Sequence, residues 1–300
     1  MITRRKIALL ASVAVLALVY AFQLALTRPE SVKTLAAESA IDSIEIATSD
    51  ERTIVLSKEG EAWYVGESRY PADPSRVEAM LSLLNAVKVL GTVASDASRG
   101  EYGLEEGSAV SVTALSGGRT IRSVLVGKGA VNSMQTYARV DDARSVSLLS
   151  GNYRGAFGLS VDEIRSREVW TIDAQSVTRV ASDRPSLAFS LEKAGDPPAW
   201  TLSRASGAAS VAIDAEKANA WVNGLLSVKA QSFARDGAEI PEGVLCAVTI
   251  SAGGVDYWIR LHGKGDDGTY LCTAGGVSSP FYPSSWTAEK ILKPLSELGK

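Results

Sequence analysis

The sequence predicts an α+β protein: an N-terminal transmembrane helix, then two similar α+β lobes, each an antiparallel sheet with one amphipathic helix. Three observations predict it. A short basic tail is followed by a long uncharged apolar run. The stretch "VTALSGGRTIRSVLVGKGA" from Val112 returns as "VTISAGGVDYWIRLHGKGD" from Val248, with Val-Thr, Gly-Gly and Gly-Lys-Gly recurring at one offset of 136 residues and no gap. Upstream of each copy lies a segment with helical periodicity.

Taken in order, residues 1–6, "MITRRK", form a basic tail expected to stay in the cytoplasm. Residues 7–26 carry no charge, and twenty helical residues span a ~30 Å hydrocarbon core. A cleavable signal has a shorter apolar region of ~7–15 residues and a small-x-small cleavage site. "FQLALT" is a poor one, so an uncleaved signal anchor is expected, with a removed signal as the alternative. Residues 27–40 read as a juxtamembrane linker. The bulk of the chain is then expected on the extracytoplasmic side of the inner membrane.

The first repeat covers 41–158 and the second 159–300. In the first, "SIEIAT", "TIVLSK" and "AWYVG" are strands and a helix covers about 74–90. Its apolar residues Val77, Met80, Leu81, Leu84 and Val87 follow i, i+3, i+4, i+7, i+10. In the second, "SVTRVA", "LAFSLEK" and "AWTLS" precede a helix at about 215–229. There Ala218, Trp221, Val222, Leu225 and Val228 repeat the pattern. Asp73 and Asp214 stand at the N-cap positions. A meander follows each helix, turning at glycine pairs. "GLSVDEIRSREVW" (158–170) is the joint, with a helical turn after Ser160.

Composition narrows the chemistry. The net charge of −3 offers no nucleic-acid surface. His262 is the sole histidine, and Cys246 and Cys272 are the two cysteines. Zinc sites take three or four such ligands, so no metal site is expected. The two cysteines fall on the first and third strands of a meander, ~9.5 Å apart. A disulfide needs Cα atoms within ~7 Å, so two buried free thiols are expected.

Each motif that hints at chemistry has a plainer reading. Gly127-Lys128-Gly129 lacks the Ser/Thr of a phosphate loop and lies between strands, so it reads as a hairpin turn. Ser190 and Lys193 in "SLEK" point to opposite faces of a strand. Asp141-Asp142 and Asp266-Asp267 read as solvated turns. His262 reads as a surface or strand-end residue. Trp63, Trp200 and Trp221 read as core, and the proline-flanked "PFYPSSW" offers Phe281, Tyr282 and Trp286 as a possible partner contact. No catalytic residue, cofactor or metal ligand is assigned.

"AW" at a strand, "YPADPSRVEAMLSLLNAVKV" as the helix and "EYGLEEG" opening the next strands together resemble the bacterial DUF4340 domain family. The second copy departs from that pattern, with Ala238-Glu239-Ile240 where the first has Tyr102-Gly103-Leu104. The resemblance implies a membrane-anchored envelope protein with an accessory role, often beside ABC-type transporter genes, and it transfers no catalytic residue. The expected function is a non-enzymatic interaction component of an envelope complex with a protein partner. The alternatives are a glycan or cell-wall binding module and, less favoured, an envelope hydrolase.

Overall fold

The computed structural model describes residues 12–22, 32–48, 53–94, 99–206, 211–235, 237–264 and 269–300. It is α+β, with two antiparallel sheets and mostly strands. The chain divides into two compact units. Unit 1 holds Met1–Arg69 and Pro74–Ser160, and unit 2 holds Tyr70–Asp73 and Val161–Lys300.

In unit 1, α1 (12–22) precedes β1 (Lys33–Ala36), β2 (Ser43–Ala47), β3 (Thr53–Glu59) and β4 (Ala62–Val65). A two-residue strand, β5 (Tyr70–Pro71), then joins unit 2. Unit 1 resumes with α2 (Pro74–Asn85), β6 (Ala86–Ala94), β7 (Val110–Ser116), β8 (Arg119–Gly129), β9 (Gln135–Val140), β10 (Val146–Ser150) and α3 (Tyr153–Phe157). Unit 2 continues with α4 (Val161–Ile164), β11 (Val177–Asp183), β12 (Phe189–Ala194), β13 (Ala199–Ala205), α5 (Ala215–Leu226) and β14 (Ala230–Phe233). It ends with β15 (Val244–Ala252), β16 (Val255–Lys264), β17 (Tyr270–Ala274), β18 (Phe281–Pro283) and α6 (Ser285–Ile291).

The two sheets share one topology. Unit 1 runs β6-β10-β9-β8-β7-β2-β3-β4, and unit 2 runs β14-β18-β17-β16-β15-β11-β12-β13. Matching the elements in chain order superposes one order on the other, with α2 on α5 and α3 on α6. β1 is an addition at the outer edge of β6.

In each unit one sheet face is apolar and carries the helices. In unit 2 Cys246, Val248, Ile250 and Ala252 alternate inward along β15. They share one cluster with Ala218, Trp221, Val222 and Leu225 of α5 and with Ala288 and Ile291 of α6. Burying such side chains contributes ~1.5–3 kcal/mol each. In unit 1 Val77, Met80 and Leu84 of α2 are buried, as are Tyr153 and Phe157 of α3. The Asp214 side chain caps α5 by accepting from the Glu216 and Lys217 amides at 3.0 Å each. The Lys217 amide bond is the main cause holding its carboxyl below the usual range.

Several boundaries differ from the sequence expectation. Both helices end early, at Asn85 and Leu226. Val87, on β6, and Val228, in the link to β14, are buried all the same, each in the core of its own unit. The expected linker 27–40 contains a strand, since Lys33–Ala36 pairs with β6 from Lys33↔Val89 to Ala36↔Ala86. The expected first lobe is interrupted at 70–73. Asp73 N–H donates to Ile164 O, Ser166 N–H donates to Pro71 O, and Ala72 bridges Arg165, all within unit 2. Of the expected membrane span 7–26, residues 12–22 are helical with exposed apolar side chains, among them Leu16 and Leu18. Its other residues lie outside the described ones, and among the described residues no helix is long and apolar enough to cross a membrane.

The matched hairpins are alike at the turn and differ beyond it. Gly117-Gly118 have φ of 57° and 76°, and Gly253-Gly254 have 57° and 80°. That is the left-handed pair that a tight two-residue hairpin demands. Past the turn, β8 carries an extra residue, Ile121, between the pairs Ala114↔Arg122 and Leu115↔Thr120. β16 has no such bulge near its turn, where Ile250 pairs with Tyr257. Val124 therefore corresponds to Ile259, and Arg122 to Tyr257, at an offset of 135 rather than 136. The shared Gly-Lys-Gly is one step out of structural register. Gly127 is packed so closely that a Cβ would overlap the Tyr102 carbonyl oxygen and meet Tyr137 O at 2.9 Å. Gly263 has open space around its Cβ position. The close approach is made by the Tyr102-Gly103-Leu104 turn, which the second copy replaces with Ala238-Glu239-Ile240.

Candidate functional site

The predicted contact residues sit at one corner of unit 2, where β18 leads into α6. β14 pairs with β18 through Ala230↔Pro283, Ser232↔Tyr282 and Phe233↔Phe281. Alternation along β18 sends Phe281 inward, where it is fully buried. Phe281 is thus a core residue that fixes the strand, not part of a contact surface. Tyr282 is half-buried and lines an open pocket of about 480 Å³ with Phe233, Arg235, Gly237 and Ala238.

Trp286 lies in the first turn of α6. Ser284 caps that helix, accepting from the Thr287 amide at 3.2 Å. The Trp286 ring is 60% exposed, far more than the core tryptophans Trp200 and Trp221. One turn later the Lys290 ammonium sits 2.9 Å from the ring centroid. The lysine stem crosses α5 over Gly224, where a Cβ would come within 2.9 Å of its Cδ. Its backbone carbonyl accepts from Trp221 Nε1 at 2.9 Å. Burial pushes the Lys290 amine below the ordinary lysine value.

Behind the pocket, Phe233 is backed by a buried cation. The Arg165 guanidinium lies 3.5 Å from the Phe233 ring centroid and 3.4 Å from that of Tyr70, with Asp162 Oδ1 3.2 Å from its Nη1. Neither Phe233, Arg235 nor Arg165 was flagged by the sequence. They come together from distant positions, and "QSFARDG" carries no motif beyond a short strand. Among the described residues the corner offers rings and an exposed cation, Arg235. Such a surface binds by stacking and by cation–π or charge contacts.

The other candidates are committed to structure. Gly127-Lys128-Gly129 ends a strand and precedes no helix. Ser190 shares a hydrogen bond with Ser203 at 2.9 Å, while Lys193 donates to Ala174 O and places its ammonium 5.3 Å from the Trp200 ring centroid. Asp141 is more than a solvated turn: it bonds Arg122 Nη1 at 2.6 Å and accepts from the Ser123 amide at 3.0 Å. Asp266-Asp267 lie outside the described residues. His262 is at a strand end as expected but is buried, not at the surface, with Nε2 3.0 Å from Thr273 Oγ1. Cys246 and Cys272 are free and buried, on strands flanking Leu261 of β16. Burial, and secondarily Cys246, push the Cys272 thiol up to about 12. Among the described residues no group of three His, Cys, Asp or Glu side chains could hold a metal ion.

The family described as a domain of unknown function (DUF4340) matches residues 63–244, more than half of the chain. No curated protein and no solved structure matches it.

Proposed function

The chain belongs to the DUF4340 family, and on that premise we propose that it is a non-enzymatic, membrane-anchored extracytoplasmic protein. In this reading it serves as an interaction component of a cell-envelope complex, an accessory to an ABC-type transporter. The observation that carries the reading is the corner at β18 and α6. Trp286 is 60% exposed and Tyr282 lines an open pocket beside the exposed Arg235. Tryptophan, tyrosine and arginine are the residue types enriched in interaction hot spots. The basic tail and the uncharged run at 7–26 support anchoring with the N-terminus in the cytoplasm. Duplication supports an interaction role, since two related units enlarge a binding surface without reactive groups.

Fractionation tests the anchor: the chain should stay with membranes through alkaline carbonate, and its body should be digested by protease added outside the cytoplasmic membrane. Recovery in the soluble fraction would sink it. Crosslinking in membranes tests the partner, with a transporter subunit expected. Recovery only as a free monomer would count against the complex. A glycan-binding role is the second reading, favoured by Trp258, 37% exposed on the uncovered sheet face with Arg260 4.7 Å from its ring centroid. Retention on cell-wall polysaccharide that is lost in Trp258→Ala would support it.

A further inference from the structure

We propose that β1 is a releasable strap, docked on the edge of β6 and latched by Arg122, that sets how far the body of unit 1 stands from α1. β1 has little side-chain packing: three of its four residues are exposed and the fourth is half-buried. Among the described residues it is held by the ladder to β6, by Ala37 N–H donating to Asn85 O at 2.8 Å, and by one side chain from elsewhere. That side chain is Arg122. Its Nη2 donates to Leu35 O at 3.2 Å and to Ala36 O at 2.9 Å, and its Nη1 to Asp141 at 2.6 Å.

Arg122 is an expensive residue to place there. It is 5% exposed, and among the described residues its Nε has no hydrogen-bond partner. A buried cation is destabilising unless its donors are matched. The sheet does not need it, because the residue at the same register in unit 2 is Tyr257, packed against the core. Among the described residues β1 likewise has no counterpart in the second sheet's strand order. The arginine and the strand occur together, in the copy that follows α1. Arg122 holds the strap through backbone carbonyls, so the grip is independent of the side chains in the strap.

The strap has a fixed end. Ile41 is buried, Asp42 N–H donates to Leu115 O at 3.0 Å, and the Asp42 carboxylate accepts from the Gly117 amide at 2.6 Å. Release therefore frees Val32 to Ala40, which reach at most ~30 Å when extended. Short edge strands with exposed side chains open below the global unfolding energy, which makes β1 a weakly held edge strand. Its use as a spacer rests on the membrane-anchored reading; its release does not.

Hydrogen exchange of the full chain in detergent micelles, read by mass spectrometry, tests the release. In the wild type the peptide covering 32–37 should exchange at least tenfold faster than peptides from β7 and β9. In Arg122→Met it should gain at least a further tenfold, with β7 and unit 2 unchanged, and Asp141→Asn should move it the same way by less. Equal protection of β1 and β7 in the wild type overturns the proposal, and so does an unchanged 32–37 peptide in a folded Arg122→Met. Should Arg122→Met unfold all of unit 1, the wild-type comparison decides alone. Membrane fractionation of the same protein reports on the anchor separately, so either idea can fail without the other.

Discussion

The guanidinium of Arg165 lies 3.4 Å from the ring centroid of Tyr70, so a four-residue excursion of the chain becomes a fixed part of unit 2. Phe233 closes the other side. A desolvated cation–π contact is worth ~2 kcal/mol or more. Arg165→Met should lower the stability of unit 2 by about 2–3 kcal/mol in urea unfolding. Arg165→Lys should recover little, because an ammonium cannot stack between two rings.

The two glycines of the shared Gly-Lys-Gly should behave unlike each other. Gly127→Ala forces a methyl into the Tyr102 carbonyl and toward Leu104, a backbone clash that cannot relax cheaply. It should cost about 3 kcal/mol, the upper end for overpacking. Gly263→Ala meets open space and should stay within ~0.5 kcal/mol. Paired denaturation curves check both, and equal costs would refute the one-residue displacement between the copies.

Alkaline pH should weaken both units. Burial raises the Cys272 thiol from 9.0 to about 12, and raises the Tyr153 phenol, against a lowering pull from Arg122, from 10.0 to about 12. In each case the folded state keeps a proton that the unfolded state releases. The contribution is complete below the unfolded pKa and is lost as pH rises through the folded value. Stability should fall between pH 9 and 12, with the Cys272 share absent in Cys272→Ala when the slopes are compared. At pH 8 the Cys272 thiol should resist a thiol reagent until denaturant is added.

Trp286→Ala should separate binding from folding. The ring is mostly exposed, so unfolding free energy should change by under ~0.5 kcal/mol while capture of the proposed partner drops. Tyr282→Ala should act in the same direction. A partner yield unchanged in the double variant would remove this corner from the interaction.

Much of the architecture was legible because it is periodic. The faces of α2 and α5, the glycine turns and the Asp214 cap follow from local spacing. The helix ends were misread for a physical reason. Val87 and Val228 extend the helical pattern, but burial on strand β6 and in the link to β14 satisfies the same pattern. β1 was missed since "KTLA" is short and lacks alternation. The bulge at Ile121 left the two copies aligned without a gap, so the sequence held no trace of the displaced register. At the corner, Trp286 and Tyr282 were visible in a proline-flanked run. Phe233 and Arg165 were invisible, because only tertiary folding brings them together.

The excursion of residues 70–73 has a consequence for synthesis. Tyr70 leaves the ribosome early, yet its cationic partner Arg165 and the opposing Phe233 are made much later. The stack cannot close until the chain beyond Phe233 has emerged. The first copy can therefore build its own sheet while four of its residues wait for the second. Duplication here did not yield two independently inherited modules, and a gene cut at the repeat boundary would sever a partnership that the nascent chain takes most of its length to complete.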